Sequence, residues 1–308
     1  VATFDNRAPG CSKVTTSASG SIIFRTFANA TRILEYISSG FGMLGLYRYS
    51  HEGNDMKTVL ITGCSSGFGL ETAKYFLERD WNVIATMRNV RKDILPRSDR
   101  LRVLALDVTD GESIAKAMDA AGDIDVLVNN AGIGWFNALE GTPVELTRRI
   151  FKTNTVGLIA MTQAVLPQFR KRKAGVIINV TSSVTMKPLH LLSVYTASKA
   201  AVNAFSDVLA LELEPFNIRV KVVLPGRAPE TKFGENAKAL AADGGSIPDA
   251  YGEMVKQVFA DRAQQLQDDV TLSGDVAEAV WRAATDIECP AHLPAGIDAI
   301  KLAELNGS

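Results

Sequence analysis

The stretch Val59-Leu60-Ile61-Thr62-Gly63-Cys64-Ser65-Ser66-Gly67-Phe68-Gly69 decides the fold. Its three leading apolar residues, without polar alternation, read as a strand covered on both faces, as in a parallel sheet. Glycines then interrupt it, and helical spacing follows through residues 72–78. A strand that turns through glycines into a helix presents free N–H groups at the positive end of the helix dipole, and the missing side chains let an anion approach the backbone. The loop reads as a cradle for the pyrophosphate of a dinucleotide, formed by Gly63, Ser65, Ser66, Gly67, Phe68 and Gly69. A tight turn with no ligand gives the same pattern, so other segments must separate the two. The spacing differs from GxGxxG, and there is no Gly-Lys-Ser/Thr ending of a triphosphate loop.

Outward from this loop, short apolar runs alternate with helical patterns. Strands are expected at residues 81–87, 101–106, 125–128, 176–180 and 220–224, the last stopped by Pro225-Gly226. Helices are expected at 111–121, with Asp110 as N-cap, at 143–170 with room for a bend, and at 193–213, 254–267 and 275–285. A short tail with room for an edge strand follows. Such alternation predicts an α/β fold, a doubly wound parallel sheet of Rossmann type in a single domain spanning residues 56–308. Residues 227–269 are polar, irregular and rich in Gly and Ala, the character of a substrate-binding loop.

Composition limits the function. Thirty-three basic residues face 34 acidic ones, so no net field favours nucleic acid or an anionic membrane surface. No run approaches the length of a membrane-spanning helix, because Arg25, Arg32 and Glu35 divide the one candidate region. Cys11, Cys64 and Cys289 lie far apart and form no CxxC pair, which argues against a disulfide framework or a zinc site and fits a reducing cytoplasm. Cys64 reads as a small filler in the glycine loop. Residues 1–55, rich in Ser, Thr, Gly and aromatics, do not look like a secretory signal. They are expected to be a disordered N-terminal extension, an organelle transit peptide or the product of a start assigned upstream of Met56.

Four further segments carry chemistry. Tyr195 and Lys199 stand four apart on an expected helix and so share a face. Bringing a phenol from near ~10 to near ~7 asks a site for roughly 4 kcal/mol of preference for phenolate, much of which a neighbouring ammonium can supply. Ser182, at the end of the fifth strand, can place a hydroxyl beside the same point. Asn129-Asn130-Ala131-Gly132 follows the fourth strand, and Asn154 stands in Asn-Thr-Val-Gly.

Together, in this order and spacing, these motifs resemble the short-chain dehydrogenase/reductase family, over residues 56–308. The resemblance implies a catalytic tetrad. Tyr195 would be general acid in reduction and general base in oxidation, and Ser182 would polarise the carbonyl. Lys199 would lower the tyrosine pKa and bind the nicotinamide ribose, and Asn154 would hold a water linking Lys199 to solvent. It further implies cofactor contacts from Asp107 and Val108 at the adenine, from Asn129, Ala131 and Gly132 in the cleft, and from Pro225, Gly226 and Thr231. Thr231 lies one residue beyond the usual family spacing. His190 reads more readily as a surface or packed residue than as a substrate contact.

The tip of the second strand, Thr86-Met87-Arg88, carries a guanidinium and no acid. A 2′-phosphate needs a cation there and is repelled by a carboxylate, so NADP is expected in preference to NAD. Arg91 and Lys92 are read as solvated loop charges. The expected activity is hydride transfer between NADP(H) and a secondary alcohol or a ketone or aldehyde carbonyl. The resemblance to hydroxysteroid and retinol dehydrogenases points to a bulky apolar substrate. A 3-oxoacyl thioester reductase and a non-catalytic NADP-sensing protein on the same fold are the alternatives, and a homodimer or homotetramer is expected through the helices at 143–170 and 193–213.

Overall fold

The computed structural model describes residues 57–241, 245–264 and 269–307. Cys11 and the expectations for residues 1–55 lie outside them. All described residues belong to one compact unit. Among them, seven strands form one sheet: β1 (Thr58–Ile61), β2 (Asn82–Met87), β3 (Leu101–Ala105), β4 (Val126–Asn129), β5 (Gly175–Val180), β6 (Ile218–Pro225) and β7 (His292–Ala295). Their order is β3-β2-β1-β4-β5-β6-β7, and every neighbouring pair is parallel. The chain winds outward from β1 to β3, then crosses back to β4 and winds the other way. A crevice opens where the winding reverses, above the carboxyl ends of β1 and β4.

The two-residue period of each strand builds two cores. Val59, Ile61, Val83, Ala85, Val126, Val128 and Ile178 face one side, where they pack with α1 (Gly67–Leu77) and α8 (Ser273–Thr285). Leu60, Ile84, Leu127 and Ile177 face the other, against α2 (Gly111–Ala121), α4 (Gly157–Arg172) and α5 (Ser193–Leu213). On the first side, edge-on contacts of Phe76 with Trp81 and Trp281, both at 5.1 Å between centroids, lock α1 to α8. Asp110 caps α2 as expected, its carboxylate accepting from the N–H groups of Glu112 and Ser113.

The structure adds detail to three regions. Between α3 (Val144–Phe151) and α4, residues Lys152–Val156 form a π-helical turn, which is the irregularity that a bend in the sequence pattern foreshadowed. Within the polar stretch lie α6 (Phe233–Ala241) and α7 (Gly252–Gln264), of which only the second is visible in the sequence pattern. The tail holds not only the expected edge strand but also α9 (Ile297–Leu305). None of the described helices is long and apolar enough to cross a membrane.

Candidate active site

A cleft of about 970 Å³ lies over the crevice, with the glycine loop as its floor. Gly63 and Gly67 take φ angles of 77° and 56°, a left-handed conformation that costs glycine little and other residues more. A Cβ on Gly63 would stand 2.8 Å from Ala131 Cα, and one on Gly69 would stand 2.4 Å from Asn130 Nδ2 and 2.5 Å from Gly63 O. The loop therefore closes tightly on the end of β4. Asn130 laces the two strand ends, its N–H donating to Thr62 Oγ1 and its Nδ2 to the carbonyls of Thr62 and Gly63. Gly63, Ser65, Ser66, Gly67 and Phe68 line the cleft. Gly69 does not; it sits beneath the loop, where it lets α1 approach β4.

One end of the cleft is cationic. Arg88, Arg91, Arg149 and Lys152 line it, with Asp107 as the single acid among the lining residues. Burial works to raise the Asp107 carboxyl, but its hydrogen bonds from Thr109 and the charges of Arg88 and Lys152 outweigh this and hold it below the ordinary carboxylate value. Val108 lines the cleft beside it. Arg91 is not a free loop charge: its Nη2 donates to Ser65 O at 2.6 Å, strapping the glycine loop to the segment after β2. Lys92 is exposed and outside the cleft.

At the other end, α5 presents Tyr195 and Lys199, which are only 6% and 4% exposed. Ser182 hydrogen-bonds the Tyr195 side chain. Lys199 Nζ donates to Val180 O at 2.9 Å, at the end of β5. Burial drives the Lys199 pKa down from 10.5 to about 8. Burial also pushes the Tyr195 phenol up, and the Ser182 hydrogen bond opposes it. The direction corrects the expectation of a lowered phenol: in the closed surroundings of this site, desolvation of phenolate is the larger effect.

Asn154 lies in the π-helical turn, buried against α5. Its Oδ1 accepts from Ile133 N, and its Nδ2 donates to Ile133 O and Ser198 Oγ. Its side chain is thus committed to the loop after β4 and to α5. A Cβ on Gly132 would stand 3.3 Å from Asn154 Oδ1 and 3.4 Å from Lys199 Nζ, so these two groups and Tyr195 converge beside the small Ala131-Gly132 pair. Asn154 stands behind the wall that Tyr195, Lys199, Ala131 and Gly132 form, while Ser182 meets the site at the Tyr195 side chain.

Besides Gly69, three expected cofactor contacts lie outside the cleft lining. Asn129 is buried and turned away from the cleft, its Nδ2 donating to Thr162 Oγ1 and Asn179 Oδ1. The strand period explains this, since Asn129 shares the α4-facing side of β4 with Leu127; Asn130, one residue on, lines the cleft instead. Pro225 and Gly226 also fail to line it. β6 continues through Pro225, which pairs with Ala295, and Gly226 N–H donates to Ala295 O, so this motif is tied to the tail. Thr231 does reach the cleft, and a Cβ on Gly67 would stand 3.4 Å from its Cβ.

Sequence reasoning missed Phe233, Asn236 and Leu240, which line the cleft from one face of α6. Their i, i+3, i+7 spacing was a readable signal inside a polar stretch. The Phe233 ring meets that of Tyr195 at 5.5 Å between centroids. His190 is exposed, and Cys64 is fully buried, its thiol pushed up to about 12 by desolvation. No group of three His, Cys, Asp or Glu side chains that could hold a metal ion occurs among the described residues.

Comparison with known proteins matches residues 57–241 to the short chain dehydrogenase family. An uncharacterised oxidoreductase of Bacillus subtilis, YusZ, is 37% identical over 246 residues, covering 74% of this chain and 85% of the relative. Human retinol dehydrogenase 8 is 38% identical over 181 residues, covering 55% of this chain and 58% of the relative. Among solved structures, a short chain dehydrogenase from Burkholderia cenocepacia in complex with NADP superposes with a TM-score of 0.65 at 25% identity, covering 82% of this chain and 93% of the other. A 3-ketoacyl-(acyl-carrier-protein) reductase from Brucella melitensis complexed with NADH gives 0.64 at 28% identity, covering 77% and 96%.

Proposed function

The chain belongs to the short-chain dehydrogenase/reductase family, and from that premise we propose that it interconverts a secondary alcohol with a ketone or aldehyde carbonyl, using NADP(H). The observation that carries this reading is a buried tyrosine, hydrogen-bonded by Ser182 and one helical turn from a buried lysine, at the edge of the cleft that the glycine loop floors.

The residues fit a dinucleotide. Gly63 and Gly69 hold the loop so close to β4 that no side chain is tolerated there, which bares the N–H groups of the turn and of the start of α1 for a pyrophosphate. Arg88 and Arg91 would hold the 2′-phosphate, Asp107 and Val108 the adenine, and Ala131, Gly132, Lys199 and Thr231 the nicotinamide side. Bound there, the dinucleotide supplies or accepts the hydride.

In reduction, Tyr195 gives its proton to the carbonyl oxygen; in oxidation it takes one from the alcohol. Burial keeps the phenol protonated, which suits the acid. Ser182 accepts or donates beside the same oxygen and fixes its direction. Lys199, at about 8, is mainly ammonium at neutral pH, so its charge favours the phenolate that proton donation leaves behind. Asn154 holds Ile133 against Ser198 and keeps the wall behind Lys199 in place.

Ile133, Phe233 and Leu240 give the Tyr195 end an apolar lining, and the likeness to human retinol dehydrogenase 8 supports a bulky apolar substrate. Pairing of two copies is part of the same proposal, favoured by Val144, Val156, Val208 and Leu211, large apolar side chains left exposed on the helices expected to mediate it. The test is Tyr195→Phe in the full chain. Carbonyl-dependent loss of NADPH absorbance should fall by roughly 10²-fold or more with NADPH binding retained; undiminished turnover would overturn the assignment.

A further inference from the structure

We propose that Asp298, on the C-terminal helix α9, is a positioning residue for the active site: it clasps the base of the segment that brings Thr231 and Phe233 to the cleft. The role rests on the reading of that cleft as the place where carbonyl and dinucleotide meet.

The geometry begins at Gly226. A Cβ there would fall 2.1 and 2.3 Å from the two Asp298 carboxylate oxygens, so the glycine of the Pro-Gly pair makes room for this carboxylate rather than for a ligand in the cleft. One oxygen accepts from the Arg227 backbone N–H at 2.6 Å, and the other from Thr271 Oγ1 at 2.6 Å. Thr271 closes the other side, its N–H donating to Arg227 O at 2.8 Å and its hydroxyl lying 3.1 Å from Ala295 O. Gly296, with φ of 91°, admits the fully buried Thr271, since a Cβ there would stand 2.0 Å from Thr271 Oγ1.

The carboxylate therefore joins three pieces of chain distant in sequence: the exit from β6 at Arg227, the return at Thr271, and α9. From Arg227 the chain runs four residues to Thr231 beside Gly67, and two more to Phe233, whose ring lies against Tyr195 and next to Gly134. An added Cβ on Gly134 would stand 2.4 Å from that ring. A shift at Arg227 is thus handed to the side chains that meet the nicotinamide side and the substrate. Asp298 touches none of the reacting groups, so its loss should disturb where the substrate sits more than the proton transfer itself.

Two variants test this. Asp298→Ala removes both acceptors. Asp298→Asn keeps the shape: its amide oxygen accepts from Arg227 N–H, and its NH₂ donates to Thr271 Oγ1, whose hydroxyl then points to Ala295 O. Amide hydrogen exchange over residues 227–241, measured on the full chain without ligand, should quicken roughly tenfold in the alanine variant and recover most of the way in the asparagine variant, in line with loss of a charge-assisted hydrogen bond. With NADPH and an apolar ketone that the wild type reduces, the alanine variant should show a KM raised by about tenfold and kcat within about threefold. Unchanged exchange over 227–241, or exchange quickened equally over the whole sheet, overturns the clasp. So does an Asp298→Ala loss confined to kcat. A wild-type protein that reduces no carbonyl sinks the functional reading instead, while the exchange result still decides the clasp.

Discussion

Replacing Lys199 with Met should stabilise the folded protein at neutral pH while removing its activity. Burial lowers the lysine from 10.5 to about 8, and at ~1.36 kcal/mol per pH unit this is a burden of about 3 kcal/mol on the folded state. The sign follows from proton counting. Between about pH 8 and 10.5 the unfolded chain holds a proton on Lys199 that the folded chain has given up, so stability rises with pH across that window, and the full burden is present below it. Methionine fills a similar volume with no charge to desolvate, but leaves Val180 O without its donor, a loss of roughly 1–2 kcal/mol. The variant should therefore be more stable than the wild type by about 1–2 kcal/mol at pH 7, and the advantage should shrink by about 2 kcal/mol by pH 10. Urea unfolding of both proteins, without cofactor, at pH 7 and pH 10 measures this. A difference that does not change with pH, or a methionine variant less stable at pH 7, would refute the idea that a desolvated ammonium sits beneath Tyr195.

Two other substitutions probe the remaining assignments. Arg88→Glu should weaken NADPH binding at least about tenfold and NADH binding much less, because a carboxylate repels a 2′-phosphate and accepts ribose hydroxyls; equal losses in fluorescence titrations with the two cofactors would remove Arg88 from the phosphate site. Asn129→Ala should lower unfolding stability by about 1–3 kcal/mol through the bonds lost to Thr162 and Asn179, with NADPH affinity unchanged. Weaker NADPH binding at unchanged stability would return Asn129 to the cleft.

What could be read in the sequence was whatever has a short period or a local cause. The six strands β1 to β6 and the Asp110 cap follow from apolar runs and one N-cap side chain, and the Tyr195–Lys199 pair from one turn of helix. Reading failed where the cause lies far along the chain. Gly226 is expected as a cofactor contact from the family resemblance of the Pro225-Gly226 pair, but its requirement is set by Asp298, on another helix. Arg91 looked solvated because its partner, Ser65 O, belongs to a loop 26 residues away. Asn129 was different: strand parity with Leu127 already placed it on the α4 side, and only the familiar look of the Asn-Asn-Ala-Gly run concealed this. The direction of the Tyr195 pKa was out of reach for another reason, since desolvation depends on how completely Ser182, Phe233 and the Ala131-Gly132 wall enclose the phenol, which no spacing rule reports.

The two ends of the cleft differ in chemistry, and the difference orients what binds. Arg88 and Lys152 flank Asp107 at one end, while Phe233 covers Tyr195 at the other. A ligand with a phosphate-bearing end is drawn by that end toward Arg88, Arg91 and Lys152, where Asp107 is the single acid among the lining residues. In the proposed reaction, exclusion of water from around Tyr195 would strengthen the field of the Lys199 ammonium on the phenol. That same exclusion pulls Lys199 down to about 8, close to the point where the ammonium would be lost. Any change that buries Tyr195 and Lys199 further should therefore weaken proton transfer once Lys199 falls below working pH, and any change that admits water should weaken it by screening. The enclosure supplied by Phe233, set in place from Arg227, lies between those two failures.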